Sequence, residues 1–251
     1  MTVSRTAGVY ADFVAPHLTS NCRLVDVGCG SGELSLELAA MVGQLLGVDA
    51  DRAAVSEART RATSLGVRNA DFRVGNIYSL DLPDGHADVV FGHSVLEALD
   101  RPDEALVEMK RVLGPGGVVA VASVDYGGLI LAGPHEPLLR RFYAIREKLW
   151  QVEGANPYLG RNLRGLLDGA GFISVEASTT YVCYGTRETV HDFGVGRADD
   201  CLDAWYTTAA MQAGLATSDD LEAMRLAWLD WSRSPTSYAA FAWCRAVGHR
   251  T

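Results

Sequence analysis

Apolar positions in the first half of the chain fall into short, β-branched runs that alternate with longer stretches at helical spacing. Residues 24–27 (Leu-Val-Asp-Val), 44–49 (Gln-Leu-Leu-Gly-Val-Asp), 70–76 (Ala-Asp-Phe-Arg-Val-Gly-Asn), 87–92 (Ala-Asp-Val-Val-Phe-Gly) and 118–122 (Val-Val-Ala-Val-Ala) read as five strands. Runs this apolar suit strands covered on both faces, as in a parallel sheet. Residues 33–41, 51–65 and 102–113 read as the intervening helices, with Asp51 as an N-cap and Gly66 as a C-cap. Pro83-Asp84-Gly85 marks the turn before the fourth strand, because proline presets one dihedral and glycine permits another. Strand alternating with helix predicts an α/β fold, a doubly wound and mostly parallel sheet.

The second half is less regular. Residues 138–152 and 160–170 read as helices, 171–184 as a sixth strand region and 237–247 as a terminal strand. Between the last two strands lies a helical insertion, 187–233, carrying Trp205, Tyr206, Met211, Trp228 and Trp231. Trp228 and Trp231 are expected in a core. Trp205 and Tyr206 are candidate substrate contacts, with core packing as the alternative. Residues 10–18 form a short amphipathic segment, read as a helix ending near Pro16. In it Tyr10 and Phe13 either line a site or pack on the sheet edge. Asn156-Pro157-Tyr158 reads as a turn, and Tyr158 is kept as a candidate substrate contact.

The composition narrows the function. The 251 residues carry a net charge of −9, and 48% of them are hydrophobic. An acidic chain argues against broad contact with phosphate backbones. No apolar run is long enough to span a bilayer, and the first eight residues lack the apolar core of a signal peptide. Five cysteines without metal-ligand spacing suit free thiols in a reducing cytoplasm. No carboxylate or histidine cluster suggests a metal. Cys29 reads as a small space-filler.

The chemistry centres on Asp26-Val27-Gly28-Cys29-Gly30-Ser31-Gly32, a strand end running through three glycines into a helix. The glycines permit a tight turn and close approach of a ligand to the backbone. A dinucleotide fingerprint would need glycine at 33, where Glu33 stands and would repel a pyrophosphate. Asp49 ends the second strand, where a carboxylate can accept two hydrogen bonds from a ribose diol. The G-x-G-x-G spacing after Asp26, together with Asp49 and the Leu113-Gly114-Pro115-Gly116-Gly117 turn, resembles the class I S-adenosylmethionine-dependent methyltransferases, of the small-molecule and ubiquinone/menaquinone type. The match covers about residues 21–125.

The resemblance implies a seven-stranded Rossmann-like sheet of order 3-2-1-4-5-7-6 with the seventh strand antiparallel. It implies S-adenosylmethionine as cofactor and S-adenosylhomocysteine as product. It assigns Asp26, Gly28, Cys29, Gly30, Gly32, Asp49, Ala50, Asn76, Ile77 and His93 to the cofactor site. Asn76 stands where the family usually has an acid that accepts from the adenine amino group, and its amide oxygen can accept the same bond. The resemblance also makes 1–20 a lid; 21–186 with 234–251 is expected as the core, and the aromatic-bearing insertion 187–233 as a substrate cap. The family's histidine after strand four is replaced by Ala98, so no role is carried over from it. Where the acceptor must lose a proton, His93, His135 and Tyr126 are candidate bases. The expected activity is methyl transfer to an oxygen, nitrogen or carbon of a small molecule, with no nucleic-acid or membrane partner and a homodimer allowed. RNA methylation, a cofactor-binding protein that does not methylate, and a nicotinamide oxidoreductase are the competing classes.

Overall fold

The structure is a computed structural model and describes residues 6–251. The first five residues of the expected lid therefore lie outside the described residues. The elements follow in order: α1 (Ala7–Tyr10), β1 (Arg23–Val27), α2 (Glu33–Leu38), β2 (Gln44–Asp49), α3 (Arg52–Leu65), β3 (Ala70–Val74), β4 (Ala87–His93), α4 (Pro102–Val112), β5 (Leu113–Ala132), α5 (Glu136–Val152), α6 (Leu163–Gly169), β6 (Ile173–Tyr184), α7 (Arg187–Asp200), α8 (Ala204–Gln212), α9 (Ser218–Trp231) and β7 (Tyr238–His249).

The strands form a seven-stranded mixed sheet of order β3-β2-β1-β4-β5-β7-β6, the order expected. The pairs β1–β2, β1–β4, β2–β3 and β4–β5 are parallel. The order reverses at β1 and β4, where ligands bind in open α/β sheets beyond the carboxyl ends of the strands. Asp51 caps α3 by accepting from the Ala53 and Ala54 N–H groups, and Gly66 closes the helix in the left-handed region at φ 68°.

Two compact units divide the chain. One holds the described residues up to Val124, with Tyr158–Thr180 and Trp243–Thr251. Its core packs Val25, Val27, Val90, Val119 and Val121 of the strands against Leu106 and Met109 of α4 and Leu163 and Leu167 of α6. The other joins Asp125–Pro157 to Tyr181–Ala242. The helices α7 to α9 share this unit with α5, the carboxyl ends of β5 and β6 and the start of β7. Its aromatic core includes Tyr143, Phe193, Trp228, Trp231 and Phe241.

Three elements differ from the sequence reading. The segment at 10–18 is not one helix. It is the single turn α1 and a 3-10 turn at Ala15–His17, with Pro16 inside the latter. Proline supplies no N–H there, so the turn cannot lengthen backwards into a helix. The helix read over 33–41 tightens into 3-10 geometry after Leu38. Strand five runs 20 residues, to Ala132, much further than the apolar run 118–122. Its extension, Asp125-Tyr126-Gly127-Gly128, has too little apolar periodicity to be read as a strand.

Candidate cofactor site

The site is built from the carboxyl ends of β1, β2 and β4, all within the first unit. Gly28, Gly30 and Gly32 have φ of 72°, 53° and 77°, a region that L side chains enter at a cost of about 1–2 kcal/mol. A Cβ on Gly28 would stand 2.6 Å from Cγ2 of Val95. The loop is tied to the second strand: the Gly28 and Cys29 N–H groups both donate to the Val48 carbonyl, at 2.7 and 3.2 Å. Gly47 of β2 must also be glycine, since a Cβ there would meet the Phe72 ring at 2.5 Å and Cys29 Sγ at 2.9 Å.

Asp49 fastens the next turn. Its Oδ2 accepts from Gly30 N–H at 2.7 Å and its Oδ1 from Asp51 N–H at 2.9 Å. Each oxygen keeps a second lone pair, so the half-buried carboxylate is positioned and still able to accept from a diol. Asp26 is buried and accepts from the Ser35 hydroxyl at 2.5 Å. Burial pushes its carboxyl up to about 7; the Ser35 hydrogen bond opposes this and the Asp49 charge adds to it. Burial, reinforced by the charges of Asp26 and Asp49, likewise pushes the Cys29 thiol well above its ordinary range. Cys29 is therefore a protonated filler beneath the loop, not a nucleophile.

Ala50 is exposed just beyond Asp49, and Ile77 is half-buried against the core. Asn76 is exposed, and its Oδ1 accepts from the Tyr78 N–H at 3.0 Å. One lone pair of the amide oxygen is thus taken by its own turn. The expected adenine contact would have to use the other.

His93 closes β4 and is buried. Its ring stacks on Trp243 at 4.5 Å between centroids and meets Tyr10 edge-on at 5.3 Å. Phe13 lies 6.1 Å from Phe91 and under the Arg245 guanidinium at 5.2 Å. Tyr10 and Phe13 therefore join His93 in one aromatic group. Arg245 holds the amino-terminal segment there by donating to the Val9 carbonyl at 2.7 Å and pairing with Asp12 at 2.8 Å.

Three features of this group escaped the sequence reading. Trp243 and Arg245 lie in the terminal strand, where alternating apolar residues gave no sign of a site. Ser94 sits at φ 57° directly after His93, a strained position of the kind found at functional sites. Glu97 is buried with the Ser123 hydroxyl donating to it at 2.7 Å. A lone acid inside the apolar run 95–99 was the available signal for Glu97.

The other candidates fall in the second unit or have other duties. His135 is half-exposed, stands at the N-cap position of α5 at φ 61° and faces Asp230 at 2.8 Å. Tyr126 packs between Tyr143, Trp150 and Phe241. Of the two readings open for Tyr206, its surroundings match core packing: it is buried, and its hydroxyl donates to the Phe142 carbonyl at 3.1 Å. An amphipathic tyrosine at that depth packs its ring and needs an internal partner for its hydroxyl. Trp205 is half-buried, its indole N–H donating to Glu153 at 2.5 Å. Tyr158 lies in the first unit, with the Arg161 guanidinium 5.4 Å from its ring.

The family described as a methyltransferase domain matches residues 18–157, and the chain belongs to it. An uncharacterized methyltransferase of Schizosaccharomyces pombe is 31% identical over 198 residues, covering 74% of this chain and 69% of that one. A 2-phytyl-1,4-naphtoquinone methyltransferase of Synechococcus elongatus is 34% identical, over 53% of this chain and 56% of its own length. Among solved structures, the YcgJ protein of Bacillus subtilis superposes with a TM-score of 0.63 at 17% identity, covering 96% of this chain and 97% of its own. At that identity the likeness speaks for the fold.

The family's cofactor is S-adenosylmethionine, a sulfonium amino acid. The residues present fit it. The left-handed glycines leave no Cβ in the loop, Asp49 presents positioned oxygens, and Asp26 with Asp49 gives the loop an acidic setting suited to a cation.

Proposed function

We propose that this chain methylates a small molecule using S-adenosylmethionine, in the general class EC 2.1.1.-. One observation carries the reading: Asp49, at the end of β2, bridges the Gly30 and Asp51 amides beside three left-handed glycines. That arrangement suits a ribose diol held next to a backbone with no Cβ. Glu33, which pairs with Arg61 at 3.1 Å at the start of α2, disfavours a pyrophosphate there and hence a nicotinamide cofactor.

When bound, the cofactor supplies an electrophilic methyl group. The work of the chain is to hold and align. Gly28, Gly30 and Gly32, with Cys29 beneath, would accept the amino-acid end, while Asp49 and Ala50 would flank the ribose. Asn76 and Ile77 would border the adenine. Alignment of this kind can contribute on the order of 7–11 kcal/mol to a displacement. Of the candidate bases, His93 has the strongest support, since it ends β4 in the unit that holds the glycine loop. Its aromatic surroundings keep water from its ring. His135 and Tyr126 are weaker candidates, His135 because it is engaged by Asp230.

The acidic net charge and the absence, among the described residues, of any helix able to span a membrane support a small acceptor reached from solution. Five free cysteines fit a reducing cytoplasm.

Isothermal titration of wild type and Asp49→Ala with S-adenosylmethionine, S-adenosylhomocysteine and NADH tests this reading. The expected result is micromolar binding of both sulfur ligands, weakened at least tenfold by the substitution, and no NADH binding. Absence of binding by either sulfur ligand would remove the basis for methyl transfer, and tight NADH binding would restore an oxidoreductase.

A further inference from the structure

The sheet of the first unit carries basic residues that the cofactor site does not use. Arg23 and Gln44 open β1 and β2, and His86 directly precedes β4. All three stand at the amino ends of the strands, the ends opposite the glycine loop. The register fixes which face is involved. Arg23 pairs with Gln44, Val25 with Leu46 and Val90, Leu46 with Asp71, and Val48 with Arg73. Paired residues on neighbouring strands point to the same side, and every second residue along a strand returns to it. Arg23, Gln44, Asp71, Arg73 and Asp88 therefore share one face with Val25 and Leu46. A cleft of about 310 Å³ lies there, and Arg23, Arg68, Arg73 and His86 line it together with Val25 and Leu46.

The donors of this cleft are uncommitted and reachable. Arg23 engages Asp88 through Nε at 3.5 Å, and Arg73 engages Asp71 through Nε at 2.9 Å. Both leave the Nη edge of the guanidinium open. Among the described residues, Arg68 has neither a side-chain hydrogen bond nor an ion pair. The Arg23 and Arg73 side chains are 44% and 58% exposed, and Arg68 is exposed, so a ligand can reach all three. Three arginines against Asp71 and Asp88 leave one positive charge in excess, in a chain whose net charge is −9. His86 adds a second when it is protonated. Burial pushes its imidazole below the ordinary value, the charges of Arg23 and Arg73 push it further, and Asp88 opposes them. A dianion bound among these groups would offset the two arginines and favour the protonated ring.

We propose that Arg23, Arg68, Arg73 and His86 bind a small dianionic oxyanion, either free phosphate or the phosphate group of a phosphomonoester. Two positive charges match a dianion, whereas a carboxylate would leave one of them unmatched. Guanidinium groups with open Nη edges suit the oxygens of a phosphate. The cleft admits a phosphate with a small organic group. A nucleic-acid backbone would need a longer basic track than this acidic chain offers. The site uses none of the cofactor-loop residues, and its occupancy does not depend on the methyl-transfer reading.

The test is isothermal titration of the full chain, at constant ionic strength, with sulfate, phosphate and glycerol 3-phosphate, and with acetate as the monoanion control. Sulfate keeps both charges from pH 6 to pH 8, so its binding isolates the protonation of His86. Saturable binding of sulfate is expected, tighter at pH 6 than at pH 8, with no binding of acetate at the same concentration. Arg23→Gln and Arg68→Gln, both at exposed positions, should each weaken sulfate about tenfold, as the loss of one hydrogen bond to a charged group does. His86→Gln should abolish the difference between pH 6 and pH 8. In proton NMR the His86 ring, identified by its absence from that variant, should titrate at higher pH with sulfate than without, by the reciprocity of linked binding. Tighter binding of glycerol 3-phosphate than of phosphate would assign the site to a phosphomonoester, and the reverse to the free ion. Sulfate that fails to saturate, an equal response to acetate, unweakened binding in both arginine variants, or a His86 titration that sulfate leaves unmoved would overturn the proposal. S-adenosylhomocysteine, titrated into the same samples, should bind all variants as it binds wild type. Its failure to bind wild type, with sulfate binding retained, would strike the methyltransferase reading alone.

Discussion

The two units use their sequences in opposite ways. In the first, residue types are dictated by the backbone: three glycines hold positive φ, Gly47 makes room for Phe72, and Asp49 ties two amides. Few side chains would satisfy any of these demands. In the second, residue types are dictated by volume. Trp228, Trp231 and Tyr206 are fully buried, and their neighbours are other rings. The Trp231 indole donates to the Ala132 carbonyl at 2.8 Å, so even the polar tip serves packing. Backbone demands make a motif readable, while an aromatic residue looks the same in sequence whether it packs a core or meets a ligand.

Breaking the volume-driven half should give the largest effect. Trp228→Ala empties a fully buried indole site, and such truncations cost about 3–5 kcal/mol. Chemical denaturation should show this loss, with cofactor affinity of the surviving folded protein unchanged. Trp205→Ala, at a half-buried position, should cost less than about 1 kcal/mol. Equal losses in the two variants would erase the distinction between a packed and a peripheral tryptophan.

The backbone-driven half should break next. Gly28→Ala introduces a Cβ 2.6 Å from Val95 and a side chain at φ 72°. Overpacking and left-handed strain together amount to about 2–5 kcal/mol, and S-adenosylhomocysteine binding should be lost. Adding Val95→Ala relieves the clash and leaves the strain, so the double variant should recover part of the stability. Full stability in Gly28→Ala alone would mean that the loop does not need its glycine.

The same contrast explains what could be read in advance. The first five strands, the Asp51 and Gly66 caps and the glycine loop were legible because short apolar runs and obligatory residue types mark them, whereas the strand order followed from the family resemblance that the loop carries. The 20-residue length of β5 was not legible, since Asp125-Tyr126-Gly127-Gly128 interrupts the apolar pattern between 118–122 and 129–132. Tyr206 was left open between a ligand contact and core packing because tyrosine suits both roles. The ion-paired Arg146–Asp200–Arg197 group was invisible because Arg146 on α5 lies far in sequence from the Arg197–Asp200 pair on α7. Trp243 and Arg245 were read as ordinary strand residues, and only the fold brings them to Tyr10, His93 and Asp12.

Asp26 sharpens the comparison from within the first unit, because there the backbone-driven design carries a stability penalty. Its carboxyl is raised to about 7 in the folded chain from an ordinary value of 3.8. The folded state then binds more protons than the unfolded state between about pH 4 and 7. The contribution of Asp26 to stability is therefore greatest below that window, falls as pH rises through it, and levels off above it. The shift corresponds to at most roughly 4 kcal/mol. Asp26→Asn keeps an acceptor for Ser35 and removes the charge, so its stability above pH 7 should exceed that of wild type, and the slope between about pH 4 and 7 should lose the part due to Asp26. Thermal melts from pH 4 to 8 would measure both. An unchanged slope in the variant would assign the pH dependence to another group.

The smallest expected effect concerns Cys29, set against Cys183. Cys29 lies under the glycine loop, its thiol held protonated by burial and by the charges of Asp26 and Asp49, whereas Cys183 is exposed on β6. A thiol reacts through its thiolate. Iodoacetamide at pH 8 should therefore alkylate Cys183 while leaving Cys29 untouched, as peptide mass mapping would read. Cys29→Ala should change stability by less than about 1 kcal/mol and leave S-adenosylhomocysteine affinity within twofold, because the loop's hold on its ligand comes from backbone and carboxylates. Alkylation of Cys29 as fast as Cys183 would mean that the loop opens to solvent readily, and the rigid, backbone-dictated character assigned to the first unit would not survive that result.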